Sequence, residues 1–197
     1  MKISKIICSF FLLLMLNACI STQNTTWQAY SSSVNTFNTD GRLAVQADGK
    51  GHYASFDWSH GQQVQIMDIN TPLGNTVGRL CKDAQGVVIT DAHGHQFQAE
   101  SSSILTQQLL GFPVPLDSLD LWALGYYRAD ENHRITPDGD LEQSGWRIHR
   151  EITKQGEPKM LSLLSLSKEA LLIKLVFQQF SQADYHQENQ CFRQPEI

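Results

Sequence analysis

The sequence predicts a mainly β protein with some α-helix, in which a curved antiparallel half-barrel of about ten or eleven strands is covered by a lid of short helices. The first observation is an alternation of apolar and polar residues from Gly41 to Ala99, interrupted at regular intervals by turn residues. The second is a pair of short segments with helical spacing, after which strand character resumes at Leu141. A sheet this wide curls, so the helices have to cover one of its faces.

The first half of the sheet is predicted to be a meander whose strands lie at 41–47, 52–59, 62–70, 76–83, 86–91 and 95–99. The alternation places Phe56 and Trp58 on one face of the second strand. In the third strand, Ile66 opposes Met67 and Ile69, so both faces there are partly apolar.

Two short helices are predicted between the halves of the sheet, at 101–110 and 117–124, because each has an apolar stripe and is followed by a glycine. A further helix is predicted in front of the sheet, since four apolar residues recur at helical spacing in 27–37. The second half of the sheet is predicted in segments that begin near Leu141, Trp146, Leu161 and Leu171.

The N-terminus has the pattern of a secretion signal, with a basic start, an apolar run at 6–16 and a small residue before Cys19. The alternative is a membrane-spanning helix, which needs about 20 apolar residues. Leu16-Asn17-Ala18-Cys19 also resembles the bacterial lipobox, which implies a signal peptide at 1–18 and lipidation of Cys19. An ordinary signal peptide with a chance cysteine is the other interpretation.

The remaining chain divides by composition into a lipidated N-terminus and tether at 19–26, a folded domain at 27–180 and a polar C-terminal tail at 181–197 that we expect to be poorly ordered. The net charge is −5 with histidine counted as neutral, and it becomes more negative when Lys2 and Lys5 leave with the signal. No basic patch remains in the mature sequence, which argues against nucleic acid as a partner.

Removal of the signal and lipidation leave two cysteines, Cys81 and Cys191, in an oxidising compartment. They can form a disulfide, but the sequence does not show whether they are close enough, and two buried thiols are the alternative.

We find no sequence pattern for catalysis, since Gly-x-Ser-x-Gly, a glycine-rich phosphate loop and His-Glu-x-x-His are all missing. His93 and His95 lie in a predicted turn without a third ligand at an obvious spacing, so we interpret them as solvent-exposed turn residues. The sequence therefore predicts no catalytic residue, no metal and no cofactor.

The turn at 70–74 carries Leu73 at its tip, where Asn, Asp, Gly or Ser is usual. Pro72 presets the backbone for the turn and Gly74 provides permissive backbone after it. Leu73 either folds back under its own hairpin or points outward. A similar choice applies to the many apolar side chains of the strands and helices, which can line a cavity for a lipid or fill a tight core.

Several motifs, taken in order, together resemble the LolB family of outer-membrane lipoprotein receptors. They are Leu16 to Cys19, Trp27, Gly41-Arg42-Leu43, Phe56-Asp57-Trp58, Thr71-Pro72-Leu73-Gly74, Phe112-Pro113-Val114-Pro115, Leu119 with Trp122 and Gly125, and Ser144-Gly145-Trp146. The Cys81 and Cys191 pair and the tail beyond Phe180 depart from what we associate with the family.

This resemblance implies a LolA/LolB-like fold and a monomeric receptor, anchored by lipid to the periplasmic side of the outer membrane. It implies that the receptor accepts lipoproteins from a LolA-type periplasmic carrier, holds their acyl chains in a hydrophobic cavity and inserts them into the outer membrane.

The family's membrane-delivery loop corresponds to Pro72, Leu73 and Gly74, which makes Leu73 an exposed residue. We expect the acyl-chain cavity to be lined by residues that include Phe56, Trp58, Ile66, Trp122 and Trp146. A lipocalin-like lipid-binding lipoprotein and a structural envelope lipoprotein are the alternatives.

Overall fold

The computed structural model of the chain describes residues 26–31, 35–110, 113–167, 170–182 and 190–194. The predicted signal peptide at 1–18, Cys19 and the tether up to residue 25 lie outside the described residues. Of the helices in the described ranges, none is long and apolar enough to cross a membrane.

The described residues form thirteen strands and two helices. In chain order, the first group is β1 (Gln28–Ala29), β2 (Phe37–Ala47), β3 (Lys50–His60), β4 (Gln65–Asn70), β5 (Thr76–Asp83), β6 (Gly86–Asp91) and β7 (Gln96–Ala99). The second group is α1 (Ser102–Leu110), α2 (Leu116–Leu124), β8 (Tyr126–Tyr127), β9 (His133–Ile135), β10 (Leu141–Gln143), β11 (Trp146–Ile152), β12 (Pro158–Ser165) and β13 (Leu172–Gln182).

Eleven of these strands form one antiparallel sheet in the order β7-β6-β5-β4-β3-β2-β13-β12-β11-β10-β9. The two halves are meanders in which each strand pairs with its neighbour in sequence, and they join where β2 pairs with β13. The sheet is open, with β7 and β9 as its edges. The predicted fold class and the two helices at 101–110 and 117–124 are therefore confirmed.

The position of the helices follows from this strand order. The chain leaves the sheet at one edge, β7, and returns at the opposite edge, β9, so α1 and α2 have to cross a face of the sheet. Both helices contact the sheet, α1 at β6 and β7 and α2 at β11 and β12. The face that they cover is the concave face, and it carries the larger core cluster.

The helix predicted at 27–37 is wrong in the described parts of that range. Gln28 and Ala29 form β1, which pairs in parallel with β8, and Phe37 already begins β2. The backbone finds its hydrogen bonds in this pairing, where the Gln28 N–H donates to the Gly125 carbonyl at 2.9 Å. Trp27 is buried and its indole N–H donates to the Gly139 carbonyl at 2.9 Å. Tertiary pairing has overridden a local helical spacing.

The C-terminal segment also differs from the sequence prediction. β13 extends to Gln182, and residues 190–194 pack against the convex face of the sheet. Cys191 is buried there in a small second cluster with Val64 and Val88. The expectation of a poorly ordered tail is therefore wrong for the described residues 190–194.

Candidate functional site

An apolar cavity of about 430 Å³ lies between the concave face of the sheet and the helices. This volume is within the range of roughly 300 to 1,000 Å³ that is typical of small-molecule sites. Its wall consists mainly of aliphatic side chains from β2, β4, β5, β6, β13, α2 and the segment before α2. They are Leu43, Val45, Met67, Ile69, Leu80, Ile89, Val114, Leu116, Leu119, Ile173 and Leu175.

The cavity opens towards the β7 edge of the sheet. Phe97 of β7 lines it and remains 38% exposed, and Val77 of β5 lines it and remains 43% exposed. Asp91, on the same face of β6 as Ile89, adds a carboxylate to the lining, whereas the Arg79 guanidinium donates to the Asp68 carboxylate at 2.7 Å on the convex face. An apolar interior with a few polar groups suits a ligand that has an apolar body and a polar end.

Gly78 contributes open space to this cavity. It pairs with Ile69 on one side and with Asp91 on the other, and both of those residues line the cavity. A Cβ atom at Gly78 would meet only the Thr90 carbonyl oxygen, at 3.8 Å. The absence of a side chain therefore widens the cavity at this point.

Phe56 and Trp58 face the concave side, as predicted, but they do not line the cavity. Phe56 packs edge-on against Phe177 with ring centroids 5.8 Å apart, and Trp58 packs against Phe37 at 5.1 Å. The Trp58 indole N–H also donates to the Gln65 side-chain oxygen at 3.2 Å. These rings fill one end of the half-barrel, whereas the aliphatic residues at the other end leave the cavity open.

The other three predicted cavity residues are also described and lie elsewhere. Ile66 is on the convex face, where it packs against the second cluster, because Met67 and Ile69 occupy the concave face of the same strand. Trp122 and Trp146 belong to the filled part of the concave core. The Trp122 indole N–H donates to the Gln143 side-chain oxygen at 3.2 Å, which fixes this helix residue inside the core.

The residues that line the cavity were missed because period-two alternation identifies a face but not a position along it. A usable signal was present in the sequence. Along the concave face of β2 and β13, aromatic residues such as Phe37 and Phe177 lie towards one end, and Leu43, Val45 and Ile173 lie towards the other.

The β4–β5 turn presents Leu73 to solvent, with 90% of its surface exposed. The Gly74 N–H donates to the Thr71 carbonyl at 2.9 Å, and the Thr71 N–H donates to the Asn75 carbonyl at 2.9 Å. Gly74 has a φ of 87°, a left-handed conformation that favours glycine. Ile69 and Val77, which line the cavity, flank this turn on its two sides.

Three further described hairpins have the same hydrogen-bond pattern, at 91–95, 136–140 and 153–157. The residue that corresponds to Leu73 is His93, Asp138 or Gln155, and all three are exposed. This turn geometry therefore accepts polar residues at the tip. The leucine at position 73 does not follow from any requirement of the turn.

Hydrogen bonds connect the two helices that cover the cavity. The Ser102 hydroxyl at the start of α1 donates to the Asp117 carboxylate of α2 at 2.6 Å. The backbone N–H of Val114, between the helices, donates to the Thr106 hydroxyl of α1 at 2.7 Å. Lys82 of β5 lies 3.3 Å from the same Asp117 carboxylate, so the sheet takes part in this arrangement.

The C-terminal end of α2 is fixed by Arg150 of β11. Its guanidinium Nε donates to the Ala123 carbonyl at 2.7 Å, and burial lowers the pKa of Arg150 to about 10. The group remains protonated at neutral pH, and its charge lies where the helix macrodipole is negative. A Cβ at Gly125 would lie 2.9 Å from this guanidinium, so glycine permits the close approach.

Cys81 and Cys191 form a disulfide with their Cα atoms 5.8 Å apart. Next to it, Arg193 donates to both carboxylate oxygens of Asp83 at 2.7 Å, and the Cys191 N–H donates to Asp83 at 2.7 Å. The Arg193 guanidinium is the main cause that holds the pKa of Asp83 well below its usual range. One covalent and one ionic contact thus hold residues 190–194 on the convex face of β5.

A second cavity, of about 500 Å³, has a polar lining and lies between the β3–β4 turn and α2. It contains His60 and Asp120, whose Nδ1 and Oδ2 atoms lie 3.6 Å apart. Burial lowers the pKa of His60, although the Asp120 charge opposes the shift. Lys82, Asp117 and these two residues make this cavity unsuitable for a hydrocarbon chain.

The sequence profile of the family described as Outer membrane lipoprotein LolB matches residues 35–180. The chain belongs to the LolB family. The match covers the whole eleven-stranded sheet except the last two residues of β13, together with both helices. The apolar cavity and the Leu73 turn both lie inside the range that matches LolB.

Two individual relatives agree with the LolB assignment. Outer-membrane lipoprotein LolB of Neisseria meningitidis is 42% identical over 168 residues, which are 84% of this chain and 85% of the relative. Outer-membrane lipoprotein LolB of Chromobacterium violaceum is 37% identical over 142 residues, 72% of this chain and 78% of the relative. A solved LolA superfamily protein from Nitrosomonas europaea aligns with a TM-score of 0.43 and 11% identity, over 77% of this chain and 87% of that chain.

Proposed function

We propose that this protein is an outer-membrane receptor that accepts lipoproteins from a LolA-type periplasmic carrier and inserts them into the outer membrane. The observation that carries the proposal is the open apolar cavity under α1 and α2, flanked by an exposed leucine at 73. Membership of the LolB family and the names of the relatives support it.

The cavity would hold the acyl chains of the cargo. Exposing a chain of about 16 carbons to water costs about 13 kcal/mol at about 0.8 kcal/mol per CH₂, so transfer without a carrier is negligible. Aliphatic side chains such as Leu43, Ile69 and Leu175 can replace the membrane interior along the chain. Asp91 lies beside Phe97 at the opening of the cavity, where the polar end of the cargo would emerge.

Leu73, together with Pro72 and Gly74, would act in delivery. Burial of one leucine contributes only about 1.5 to 3 kcal/mol, which is far less than a lipid anchor provides. Leu73 is therefore too weak to hold the protein on the membrane. Its insertion would instead bring the neighbouring opening of the cavity to the bilayer surface, so that the acyl chains leave the cavity without crossing water.

Anchoring would come from Cys19 after removal of the signal peptide at 1–18. The tether at 19–26 reaches at most about 3.5 Å per residue, so the domain at 27–180 would stay within about 30 Å of the membrane surface. The tail at 181–197 would belong with the domain, since the disulfide at Cys191 holds part of it on the sheet. The anchored protein would face the periplasm as a monomer.

The direction of transfer would follow from affinity alone, without a nucleotide. The cavity has to bind acyl chains more tightly than the carrier does and less tightly than the bilayer does. The test is transfer in vitro. A carrier loaded with a fluorescently labelled lipoprotein is mixed with this protein, and liposomes are added in a second step.

We expect cargo to pass to this protein in the first step and to the liposomes in the second. A lipocalin-like lipid-binding protein would bind a free acyl probe but would not take cargo from the carrier. A structural envelope protein with a filled core would show no saturable binding of the probe. Either result would contradict the proposal.

A further inference from the structure

The β6–β7 turn brings together three side chains that bind metal ions in other proteins. The Nδ1 atom of His95 lies 2.9 Å from the Oδ2 atom of Asp91, and the Nδ1 atom of His93 lies 3.9 Å from the same oxygen. Ligand atoms from all three residues lie within 4.8 Å of one another. The carboxylate supplies the third ligand that sequence spacing did not reveal.

The turn itself fixes this arrangement. The Oδ1 atom of Asp91 accepts the backbone N–H groups of His93 at 2.8 Å and of His95 at 2.9 Å. Gly94 between them has a φ of 86°, which allows the chain to reverse within two residues. The backbone of the turn thus holds the Asp91 carboxylate through Oδ1, and Oδ2 faces the two imidazoles.

The separations between the nitrogen and oxygen atoms of this cluster are close to those between ligand atoms around a bound metal ion. Zn²⁺ binds imidazole nitrogen and carboxylate oxygen at about 2.0 to 2.2 Å, which places tetrahedral ligands about 3.3 Å from one another. The observed separations from Oδ2, 2.9 and 3.9 Å, lie on either side of that value. The imidazoles are 80% and 71% exposed, so small rotations can close the difference.

We propose that Asp91, His93 and His95 form a binding site for a divalent transition-metal ion such as Zn²⁺. Two imidazoles and one carboxylate suit Zn²⁺, Cu²⁺ or Ni²⁺, whereas Mg²⁺ and Ca²⁺ prefer oxygen ligands throughout. The three residues leave a fourth position that water or a group of another molecule can occupy.

The position of this site connects it to two other features. Asp91 lines the apolar cavity near its opening, where Phe97 of the next strand is partly exposed. The C-terminal segment lies alongside, because the Gln194 side chain donates to the Gly94 carbonyl at 3.4 Å. A bound ion would join the two ends of the edge hairpin turn and add positive charge beside the opening of the cavity.

The experiment is a Zn²⁺ titration of the full chain in detergent, purified with a tag that contains no histidine and treated with a chelator beforehand. Isothermal titration calorimetry should show one ion bound per chain. His93→Gln and His95→Gln each remove one ligand and should raise the Kd for Zn²⁺ at least about tenfold. In known sites, mutation of a residue that only hydrogen-bonds a ligand already weakens metal binding by about that factor. The double variant should not bind.

The chain offers a matched control in His149, whose Nδ1 atom lies 2.8 Å from an Asp140 carboxylate oxygen in another exposed histidine–aspartate pair. A His149→Gln variant should bind Zn²⁺ as the unmodified chain does. Electron paramagnetic resonance of bound Cu²⁺ is a second test. The spectrum should show two coordinated imidazole nitrogens in the unmodified chain and one in each single variant. Absence of saturable binding, or equal binding by the His93→Gln/His95→Gln variant, would overturn the proposal.

Discussion

Leu73 and Asp138 occupy the same position in two turns of the same sequence pattern and the same hydrogen bonding. Both turns read Thr-Pro-x-Gly, with the glycine N–H donating to the threonine carbonyl at 2.9 Å in each. Both tip residues are exposed. The same turn is thus formed with a leucine or an aspartate at its tip, so turn geometry does not account for the leucine at position 73.

The first prediction concerns Leu73→Asp, which converts the 71–74 turn into the sequence of the 136–139 turn. We expect the free energy of unfolding to change by no more than about 0.5 kcal/mol, because an exposed tip has few contacts to lose. Acceptance of cargo from the carrier should persist, and release of cargo into liposomes should fail.

The matched control is Asp138→Leu, which places a leucine at the tip of the other Thr-Pro-x-Gly turn. It should leave both transfer steps as they are. Equal loss of acceptance and release in Leu73→Asp would show that Leu73 does not act specifically in delivery.

The second prediction concerns the volume of the cavity. Gly78→Leu places a side chain in open space on the cavity wall, without the left-handed backbone that would make a side chain costly. If the leucine displaces about three methylenes of a bound acyl chain, the lost burial is about 2.4 kcal/mol, or a factor of about 50 in Kd. Binding of a fluorescent acyl probe measures this change.

Gly78→Ala is the control for the substitution itself, and it should change the Kd by a much smaller factor than Gly78→Leu. Unchanged probe binding by the leucine variant would mean that the acyl chain lies elsewhere.

The third prediction concerns Gly41 at the centre of the sheet. A Cβ atom there would lie 2.2 Å from the Val176 carbonyl oxygen and 2.8 Å from the Phe56 ring. Gly41→Ala should therefore lower the free energy of unfolding by about 1 to 3 kcal/mol, as overpacking does in other cores. Urea denaturation gives this value.

Gly51→Ala tests whether the effect is specific to the crowded position. A Cβ atom at Gly51 would meet nothing closer than the Tyr53 hydroxyl, at 3.5 Å. This variant should change stability by less than about 0.5 kcal/mol. A comparable loss in both variants would show that crowding at Gly41 is not the cause.

The fourth prediction concerns the disulfide, which joins residues separated by 110 positions in sequence. Cross-links of this span restrict the unfolded chain, and their removal typically costs about 2 to 4 kcal/mol. Cys81→Ser/Cys191→Ser should be less stable by that amount in urea denaturation. Addition of dithiothreitol should lower the stability of the unmodified chain and leave that of the double variant unchanged. An effect of equal size on both proteins would contradict the prediction.

The fifth prediction is a dependence of stability on pH from Asp83. Because its pKa is lowered in the folded state, mainly by Arg193, its contribution is present above a pH of about 4 and is lost as the pH falls towards the folded pKa. Asp83→Asn should therefore have a lower free energy of unfolding than the unmodified chain at pH 7. The expected loss is about 2 to 3 kcal/mol, because hydrogen bonds to a charged group contribute about that much. The difference should narrow at pH 3.

Asp138→Asn, at an exposed hairpin tip, is the control and should differ little from the unmodified chain at either pH. Urea denaturation at pH 7 and at pH 3 measures both variants. A constant difference for Asp83→Asn across this range would show that the ionised carboxylate is not the source of its stability.

Local chemistry made most strand positions and the two helices between the halves of the sheet predictable, although the helix expected at 27–37 was wrong. It was less informative about the candidate site. Gly125, expected to end α2, has a φ of 88° and its N–H donates to the carbonyls of Leu121 and Trp122. Such a signal lies within a few residues of the feature that it specifies. The cavity wall is different, because Leu43 and Leu175 are distant in sequence and meet only through the pairing of β2 with β13.

The sequence by itself determined where most strands of the large sheet turn, which two segments between the halves of the sheet are helical, and that an apolar residue stands at the tip of the 71–74 turn. Turn and helix signals are local, and so a single chain segment contains them. Only the tertiary structure decided that β2 pairs with β13, which leaves β7 and β9 as edges and forces the helices across the concave face. It also decided that aromatic rings fill one end of that face and leave the cavity at the other, because packing depends on side chains that are remote in sequence.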